Sequence, residues 1–317
     1  MNERLEHENG LTVVGIGEAL FDCFPEGALL GGAPVNLAVH ADQLLRQVGG
    51  CGVVVSAVGQ DELGNQLRQE LTARQLAVDF LQESPDYPTG SVRVTVDDAG
   101  HPEYEITENV AWDHIRQTES TSRLAVSCSA VCFGTLAQRS PESRETIQQF
   151  LAAAPQAWRV CDLNLRQHFF SAQVIESSFA AANVVKLSEE ELSVASDLLN
   201  ASGLLKIGTS ERVDADRQAL LLCEKFELEM LAVTRGARGT VLLGRDERAE
   251  GEVPTFAPSP QADSVGAGDS CCAAIVTGLL LKWPWDQIVG LANRVGAYVA
   301  SQQGATPRLP PEILAEL

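Results

Sequence analysis

The sequence lacks the features that mark membrane-spanning and nucleic-acid-binding proteins. No stretch holds about 20 uncharged apolar residues, the length that crosses a bilayer as a helix. There is no long run of lysine or arginine, and 23 basic residues stand against 43 acidic ones, which gives a formal net charge of −20. A field of that sign repels nucleic acid and anionic membrane surfaces. We therefore expect neither a membrane nor a nucleic acid as a partner.

Patterns for zinc and for disulfides are also missing. The eight cysteines contain no C-x-x-C pair, and none of the five histidines stands in H-x-x-x-H spacing. The first ten residues carry neither the apolar core of a signal peptide nor an arginine-rich amphipathic pattern. We expect reduced thiols, no dedicated zinc site, a flexible tail over residues 1–10 and a cytoplasmic protein.

What the sequence does have is a regular alternation of β-branched runs and helix-length amphipathic segments between residues 11 and 305. This alternation predicts an α/β fold with a mainly parallel central sheet covered by helices. The predicted strands are 11–17, 52–58, 124–133, 158–163, 183–187, 229–234 and 240–243, and the predicted helices are 35–48, 61–76, 141–153, 189–198, 212–225, 267–281 and 286–302.

One region departs from this rhythm. Residues 90–96 alternate apolar and polar side chains, a D-D-A-G turn follows at 97–100, and residues 102–106 alternate again. Such a pattern predicts an antiparallel hairpin with one solvated face that projects from the main sheet. Since no repeat or linker-like stretch divides the chain, we expect a single domain over residues 11–317.

The strongest motif is D-S-V-G-A-G-D at 263–269, in front of an apolar helix. Gly266 and Gly268 allow a ligand to approach the backbone, and the unpaired amides of the first helical turn, including that of Ala267, favour an anion. Asp269 in the same turn could accept a proton from a hydroxyl that attacks a bound phosphate. The alternative is an ordinary tight turn in which Asp269 only complements the helix dipole.

A second motif, G-G-A-P-V-N-L-A-V-H, occupies residues 31–40. Gly31 and Gly32 permit close backbone approach, and Asn36 offers both a donor and an acceptor to a polyol. Taken alone, the motif is equally an ordinary loop that enters a helix.

Together the two motifs, and the order of elements over roughly residues 11–307, resemble the ribokinase-like (PfkB) family of carbohydrate kinases. The resemblance implies a three-layer α/β/α fold and transfer of phosphate from ATP to a sugar hydroxyl. It assigns Asp269 as general base and Gly266, Ala267 and Gly268 as the anion hole, although Ser264 replaces the usual threonine. It also implies a small β lid, built mainly from about 18–30 and 88–112, whose strands serve dimer formation in family members.

For the sugar, the resemblance assigns Asp22, Gly32, Asn36 and Asn164. Asp22 lies in G-E-A-L-F-D at 17–22, which we expect to end the first strand. Arg166, in D-L-N-L-R at 162–166, would stabilise the transferring phosphate, a positive charge that this acidic protein otherwise lacks. Each of these residues is also consistent with an ordinary loop position.

For ATP and its ions, the resemblance assigns residues in four further segments. Ser188 and Glu191 lie in K-L-S-E-E-E, where Glu191 would position Mg²⁺ through water, although the same pair also forms a helix-capping box. Asp263 would lie near a monovalent cation such as K⁺. The remaining nucleotide-side residues are Thr234, Gly236 and Gly239 in T-R-G-A-R-G, Asn293, and the glycines 266 and 268.

Fructose is the predicted acceptor, because C-F-G-T-L-A-Q-R at 132–139 and E-N-V-A-W-D at 108–113 look like bacterial fructokinases. Ribose, a 2-keto-3-deoxy sugar acid and adenosine remain open. So does a protein that binds sugar and nucleotide without turnover.

Two further alternatives have little support. Gly15 and Gly17 could open a dinucleotide-binding loop, but Leu20 stands where its third glycine belongs. Cys271 and Cys272 lie in an apolar helix without an evident histidine partner, which disfavours a catalytic thiol.

Overall fold

The protein is built on a nine-stranded sheet and a separate four-stranded sheet. The computed structural model describes residues 10–24, 27–96, 102–205, 214–315 and 317. The strands of the described chain are β1 Thr12–Ile16, β2 Leu20–Phe24, β3 Gly27–Gly31, β4 Cys51–Gly59, β5 Leu81–Ser84, β6 Gly90–Val96, β7 Pro102–Ile106, β8 Ala130–Phe133, β9 Trp158–Asp162, β10 Val184–Ser188, β11 Met230–Thr234, β12 Thr240–Leu243 and β13 Arg248–Glu250. Its α-helices are α1 Ala33–Leu45, α2 Glu62–Ala73, α3 Glu119–Ser127, α4 Pro141–Ala152, α5 Ala172–Ala181, α6 Glu189–Ala201, α7 Ala215–Phe226, α8 Ala267–Leu280, α9 Trp285–Ala300 and α10 Pro311–Leu314.

The large sheet has the order β13-β12-β11-β10-β9-β8-β1-β4-β5. Its strands pair in parallel except β12 and β13, which are antiparallel to their neighbours. Because side chains alternate along each strand, Val14 and Val185 pack into one core while Val13 and Val184 pack into another. Helices α3 to α7 cover the first face, and α1, α8 and α9 cover the second. The predicted α/β class with three layers is confirmed.

The small sheet has the order β3-β2-β6-β7. The hairpin of β6 and β7 has the predicted bounds and is antiparallel, with Val96 opposite Pro102. Strand β2 pairs in parallel with β6 and antiparallel with β3. Residues 17–19 join β1 to β2 and so connect the two sheets. The predicted turn at 97–100 and nearly all of the predicted flexible tail lie outside the described residues.

Two predicted elements need correction. Residues 124–127 belong to α3 and not to a strand, since Thr118 caps that helix and its buried residues, Leu124 and Ala125, are what made the segment look like a buried strand. Only 130–133 of that prediction is β-structure. The first strand ends at Ile16, so Asp22 lies within β2 of the small sheet and not at the end of β1.

Helix α5 escaped prediction, although Ser171 caps it. The predicted helix 212–225 corresponds to α7, and the predicted residues 212–213 lie outside the described chain. Within the described chain, no helix combines the length and apolarity that crossing a bilayer requires.

Candidate active site

The candidate site lies where the parallel strands of the large sheet end. Strands β1, β9, β10 and β11 run in the same direction, so their final residues Ile16, Asp162, Ser188 and Thr234 share one edge. Ligands of open α/β sheets bind outside this carboxyl edge. The amino termini of α1 and α8, which carry the two glycine motifs, contribute to the same edge through the contacts given below.

Gly266 opens α8 with a left-handed backbone, at φ 76°. A Cβ atom here would stand 2.3 Å from the carbonyl oxygen of Ala305, so only glycine permits this close approach. Within the described chain, the amides of Gly266, Gly268 and Asp269 have no acceptor, whereas the N–H of Ala267 donates to the oxygen of Ser264 over 3.3 Å. The turn therefore offers donors to an anion, with Ala267 partly engaged already.

Asp269 and Asn36 join the two glycine motifs. The Nδ2 group of Asn36 donates to Oδ2 of Asp269 over 2.8 Å, although the residues are 233 positions apart in sequence. Asn36 is buried, and its Oδ1 atom has no partner in the described chain. This bond fixes the Asp269 carboxylate at the mouth of the anion-binding turn.

Glu18 is a residue of the site that sequence reasoning missed. Its side chain is 2% exposed, and its Oε2 atom lacks a hydrogen-bond partner among the described residues. Burial raises the pKa of Glu18 to about 7, the charge of Asp269 adds to the rise, and Arg166 acts against it. Glu18 lies in the motif G-E-A-L-F-D at 17–22. Nothing in the sequence indicates that its carboxylate is buried.

Asp22 and Arg166 also influence each other. Burial raises the pKa of Asp22, and the positive charge of Arg166 opposes that rise. Since Arg166 acts on both Glu18 and Asp22, the structure brings its charge to the acidic side of the site. A Cβ atom on Gly31 would stand 2.8 Å from Oδ2 of Asp22, so the bare backbone of β3 makes room for this carboxylate.

A buried ion pair, also missed, supports the anion-binding turn. Lys186 and Asp162 are opposite each other on β10 and β9, and Lys186 Nζ lies 3.0 and 3.2 Å from the two carboxylate oxygens. A Cβ atom on Gly268 would stand 2.9 Å from the same Nζ, so the ammonium lies against the first turn of α8. Although burial acts to lower the pKa of Lys186, Asp162 raises it above its usual value, which keeps the ammonium charged.

Glu191 holds the loop that carries Asn164 and Arg166. Its Oε1 atom accepts from the N–H of Leu165 over 2.7 Å, and its Oε2 atom accepts from the N–H of Ser188 over 2.8 Å. The capping box with Ser188 that the sequence predicts is present. Asn164 adopts a left-handed backbone with φ 43°, which turns the chain immediately after β9.

On the predicted nucleotide side, the residues form a support for β12. Thr234 donates to the oxygen of Leu187, and Gly236 and Gly239 have positive φ angles in the turn that follows β11. The side chain of Asn293 accepts from the N–H of Thr240 over 2.8 Å and donates to the oxygen of Gly251. Both ends of the Asn293 amide are thus bonded to the protein. Asn293 therefore affects the predicted nucleotide side by positioning the backbone at Thr240 and Gly251.

Asp263 bridges two loops behind the anion-binding turn. Its oxygens accept from the N–H groups of Val265 and Gly304. Beside this bridge, the Nε2 atom of buried His40 lies 2.9 Å from the oxygen of Ala305, the same carbonyl that Gly266 contacts. Burial lowers the pKa of His40, so we take the ring as neutral and as the donor. His40 had no sequence signal other than its position one helical turn after Asn36.

The geometry also disfavours the dinucleotide-binding loop and the catalytic thiol that the sequence had left as alternatives. A Cβ atom on Gly15 would stand 2.1 Å from the oxygen of Pro34, and the chain after Gly17 enters a strand, not the helix of a dinucleotide-binding loop. Cys271 and Cys272 are buried, and burial raises the pKa of Cys271, which disfavours a reactive thiolate.

Comparison with known proteins places this geometry in context. The family model described as pfkB family carbohydrate kinase matches residues 28–312. A fructokinase of Escherichia coli is 28% identical over 320 residues, covering 93% of this chain and 95% of that protein. The crystal structure of a sugar kinase from Pyrococcus horikoshii superposes with a TM-score of 0.75 at 26% identity, covering 96% and 97% of the two chains, and its complex with ATP gives 0.73 at 25% identity. A Vibrio cholerae fructokinase bound to fructose, ADP and calcium shares the fold, with a TM-score of 0.74 at 23% identity over 96% and 98% of the two chains.

Proposed function

The chain belongs to the pfkB family of carbohydrate kinases, and from this we propose that it transfers the γ-phosphoryl group of ATP to the 6-hydroxyl of D-fructose. The observation that carries the proposal is the bond between Asn36 and Asp269 at the amino terminus of α8. It sets a carboxylate beside unpaired backbone amides, which is the arrangement that phosphoryl transfer to a hydroxyl requires.

Fructose and ATP as substrates are supported by the relatives. The Escherichia coli protein is a fructokinase, and the Pyrococcus horikoshii sugar kinase was crystallised with ATP. The segments 132–139 and 108–113 are part of the same likeness to bacterial fructokinases.

In the proposed reaction, Asp269 accepts the proton of the attacking sugar hydroxyl. Asn36 holds the carboxylate in place, since its Nδ2 donor already points at Oδ2. The amides of Gly266 and Gly268, with Ala267, stabilise the charge that develops on the transferred group, and Arg166 and the ammonium of Lys186 add positive charge. Asp22, Gly32, Asn36 and Asn164 bind the sugar, while Ser188, Thr234, Gly236, Gly239 and Asn293 shape the nucleotide side.

The residues present fit the two proposed ions. Both oxygens of Glu191 accept backbone N–H groups, so Glu191 would hold Mg²⁺ through water and not directly. This suits an ion that keeps several waters and binds mainly to substrate phosphates. Mg²⁺ would neutralise charge on the phosphates when bound. Asp263 links the loops at 265 and 304, and a monovalent cation such as K⁺ would stabilise the same junction.

The small sheet is proposed to act as a lid over the sugar within one kinase domain, residues 11–317. Residues 17–19, next to Glu18 and Asp22, form the connection on which it would move. Closure would exclude water and limit futile hydrolysis of ATP. Phe24 and Leu29 of this sheet are 37% and 46% exposed, which favours a homodimer through the lid strands. A single monomer species in sedimentation velocity at micromolar concentration would exclude that dimer.

The deciding experiment measures ADP release with MgATP and each of five acceptors: fructose, ribose, glucose, 2-keto-3-deoxygluconate and adenosine. Asp269→Asn should fold and bind ATP yet lose at least a few hundredfold in kcat with fructose. Asp286→Asn is the matched control, because Asp286 is an exposed acidic residue in the first turn of α9 and shares only the helix-dipole role.

Three results would change the proposal. Near-normal turnover by Asp269→Asn would remove Asp269 as general base. Activity with another acceptor alone would keep the kinase and discard fructose. Binding of ATP and sugar by calorimetry without ADP release would indicate a non-catalytic binding protein.

A further inference from the structure

A cavity of about 490 Å³ lies away from the carboxyl edge of the sheet, on the outer side of α1. Its walls are the end of α1 with the 3₁₀ turn that follows, the end of α2, the segment 306–309 and the end of α10. None of the residues assigned above to sugar, nucleotide or catalysis lines it. Its volume is that of a small-molecule site.

Three arginines converge on this cavity, although the protein has a net charge of −20. Arg46 pairs with Asp42, and Arg74 lies 3.3 Å from Glu70. Arg308 is exposed, and no carboxylate in the described chain pairs with it. Since Arg46 and Arg74 are each paired with a carboxylate, the excess positive charge of the cavity comes from Arg308.

The rest of the lining is divided between polar and apolar groups. The amide of Gln47 and the hydroxyl of Thr306 offer hydrogen bonds at the wall. Val39, Leu76, Leu309 and Leu314 supply apolar surface that a bare inorganic ion would not use. This division matches a ligand with a charged group and an organic body.

We propose that the cavity binds a phosphorylated small organic molecule, with Arg308 and Arg74 as ligands of the phosphate and Arg46 as supporting charge. Guanidinium groups are suited to phosphate because they donate two parallel hydrogen bonds. The Nη2 group of Arg74 already reaches toward Thr306 Oγ1 over 3.5 Å, so the two walls approach each other where the phosphate would bind.

The segment that closes this cavity also supports the anion-binding turn. Gln43 donates to the oxygen of Pro307 and accepts from the N–H of Leu309, which holds the segment to α1. Three residues before Arg308, Ala305 contacts both His40 and Gly266. A ligand that pulls on Arg308 therefore acts on the backbone behind the anion hole, and we expect occupancy to change the rate of phosphoryl transfer.

Calorimetry with fructose 1,6-bisphosphate, AMP and inorganic phosphate tests the site. At least one ester should bind to the wild type, and Arg308→Gln should weaken that binding roughly tenfold or more, the usual effect of losing a charged hydrogen bond. Arg74→Gln/Arg308→Gln should remove it. Arg217→Gln, which changes an exposed arginine of α7, is the matched control and should bind like the wild type. Any binding in the catalytic site is common to all variants, so the difference between them isolates the cavity.

The outcomes are distinct. A preference for the bisphosphate identifies sugar phosphates, and a preference for AMP identifies nucleotides. Equal binding by wild type and Arg308→Gln, no ester binding at millimolar concentration, or phosphate alone binding as well as the esters would overturn the site. The effect on rate rests on the proposed kinase activity and is measured separately: an ester that binds through Arg308 but leaves ADP release unchanged would overturn only the coupling.

Discussion

Glu18 is enclosed where the two sheets meet, and its protonation state affects the site around it. The backbone N–H groups of Glu18 itself and of Ala33, the first residue of α1, act against the rise in its pKa. The negative charge of Asp269 favours the protonated form of the Glu18 carboxyl. With a pKa of about 7 it holds its proton to higher pH in the folded protein than in the unfolded chain, whose value is near 4.5.

The stability contributed by Glu18 should therefore fall as pH rises. Because the pKa of Glu18 is raised in the folded protein, its stabilising contribution is fully present below pH 4.5. The contribution is lost as the pH rises toward the folded pKa near 7. Between about pH 5.5 and 8.5 the wild type should lose roughly 2 kcal/mol in free energy of unfolding relative to Glu18→Gln. Urea unfolding of both proteins across that range measures the difference. Parallel pH profiles would show that Glu18 does not titrate in this window.

The sequence predicted the residues of the candidate site that lie in glycine motifs, but not those that lie in the interior. Asp269 and Asn36 were predicted from two motifs, and the structure brings them within hydrogen-bond distance. Lys186 and His40 were missed because their importance depends on register and burial: Lys186 meets Asp162 only through the pairing of β10 with β9. The sequence around a single lysine in an apolar strand does not indicate which carboxylate it will pair with.

At the scale of elements, the loop after β9 depends on the helix that follows the next strand. Glu191 caps α6 through Ser188 and holds the loop through Leu165. The two roles use different oxygens of one carboxylate, so the stability of α6 and the position of Arg166 are linked.

Glu191→Ala should separate a capping role from a role in the site. Loss of a helix cap costs about 1 kcal/mol, and Thr118→Ala, which removes the cap of α3 outside the loop of Asn164 and Arg166, should cost a similar amount. Only Glu191→Ala should also lower kcat, because only it releases the loop of Asn164 and Arg166. Steady-state kinetics with chemical unfolding measures both effects. Equal kcat in the two variants would refute the link, and recovery of Glu191→Ala at high Mg²⁺ would assign the loss to the metal instead.

Prediction of elements succeeded where hydrophobic period and length agreed and failed where they conflicted. The β6–β7 hairpin was predicted at its observed bounds because strict alternation has one structural explanation. Residues 124–133 were predicted as one strand, but Leu124 and Ala125 belong to the buried face of α3. Since short apolar runs fit a helix or a strand equally, only tertiary packing decided between them.

At the scale of the whole molecule, the charge of −20 opposes any anionic substrate, while Lys186 lies against the anion-binding turn and Arg166 lies on the acidic side of the site. In the proposed reaction, local amides and these cations bind the phosphates at short range, where salt screens little, whereas the repulsion from the rest of the surface acts over a Debye length of about 10 Å at 0.1 M salt. Added salt should then remove more repulsion than attraction. We expect KM for ATP to fall by about two- to threefold between roughly 20 and 150 mM tetramethylammonium chloride, with K⁺ and Mg²⁺ held constant, while KM for the neutral sugar stays unchanged. A KM for ATP that rises with salt would mean that the local cations, and not the net charge, govern the approach of the nucleotide.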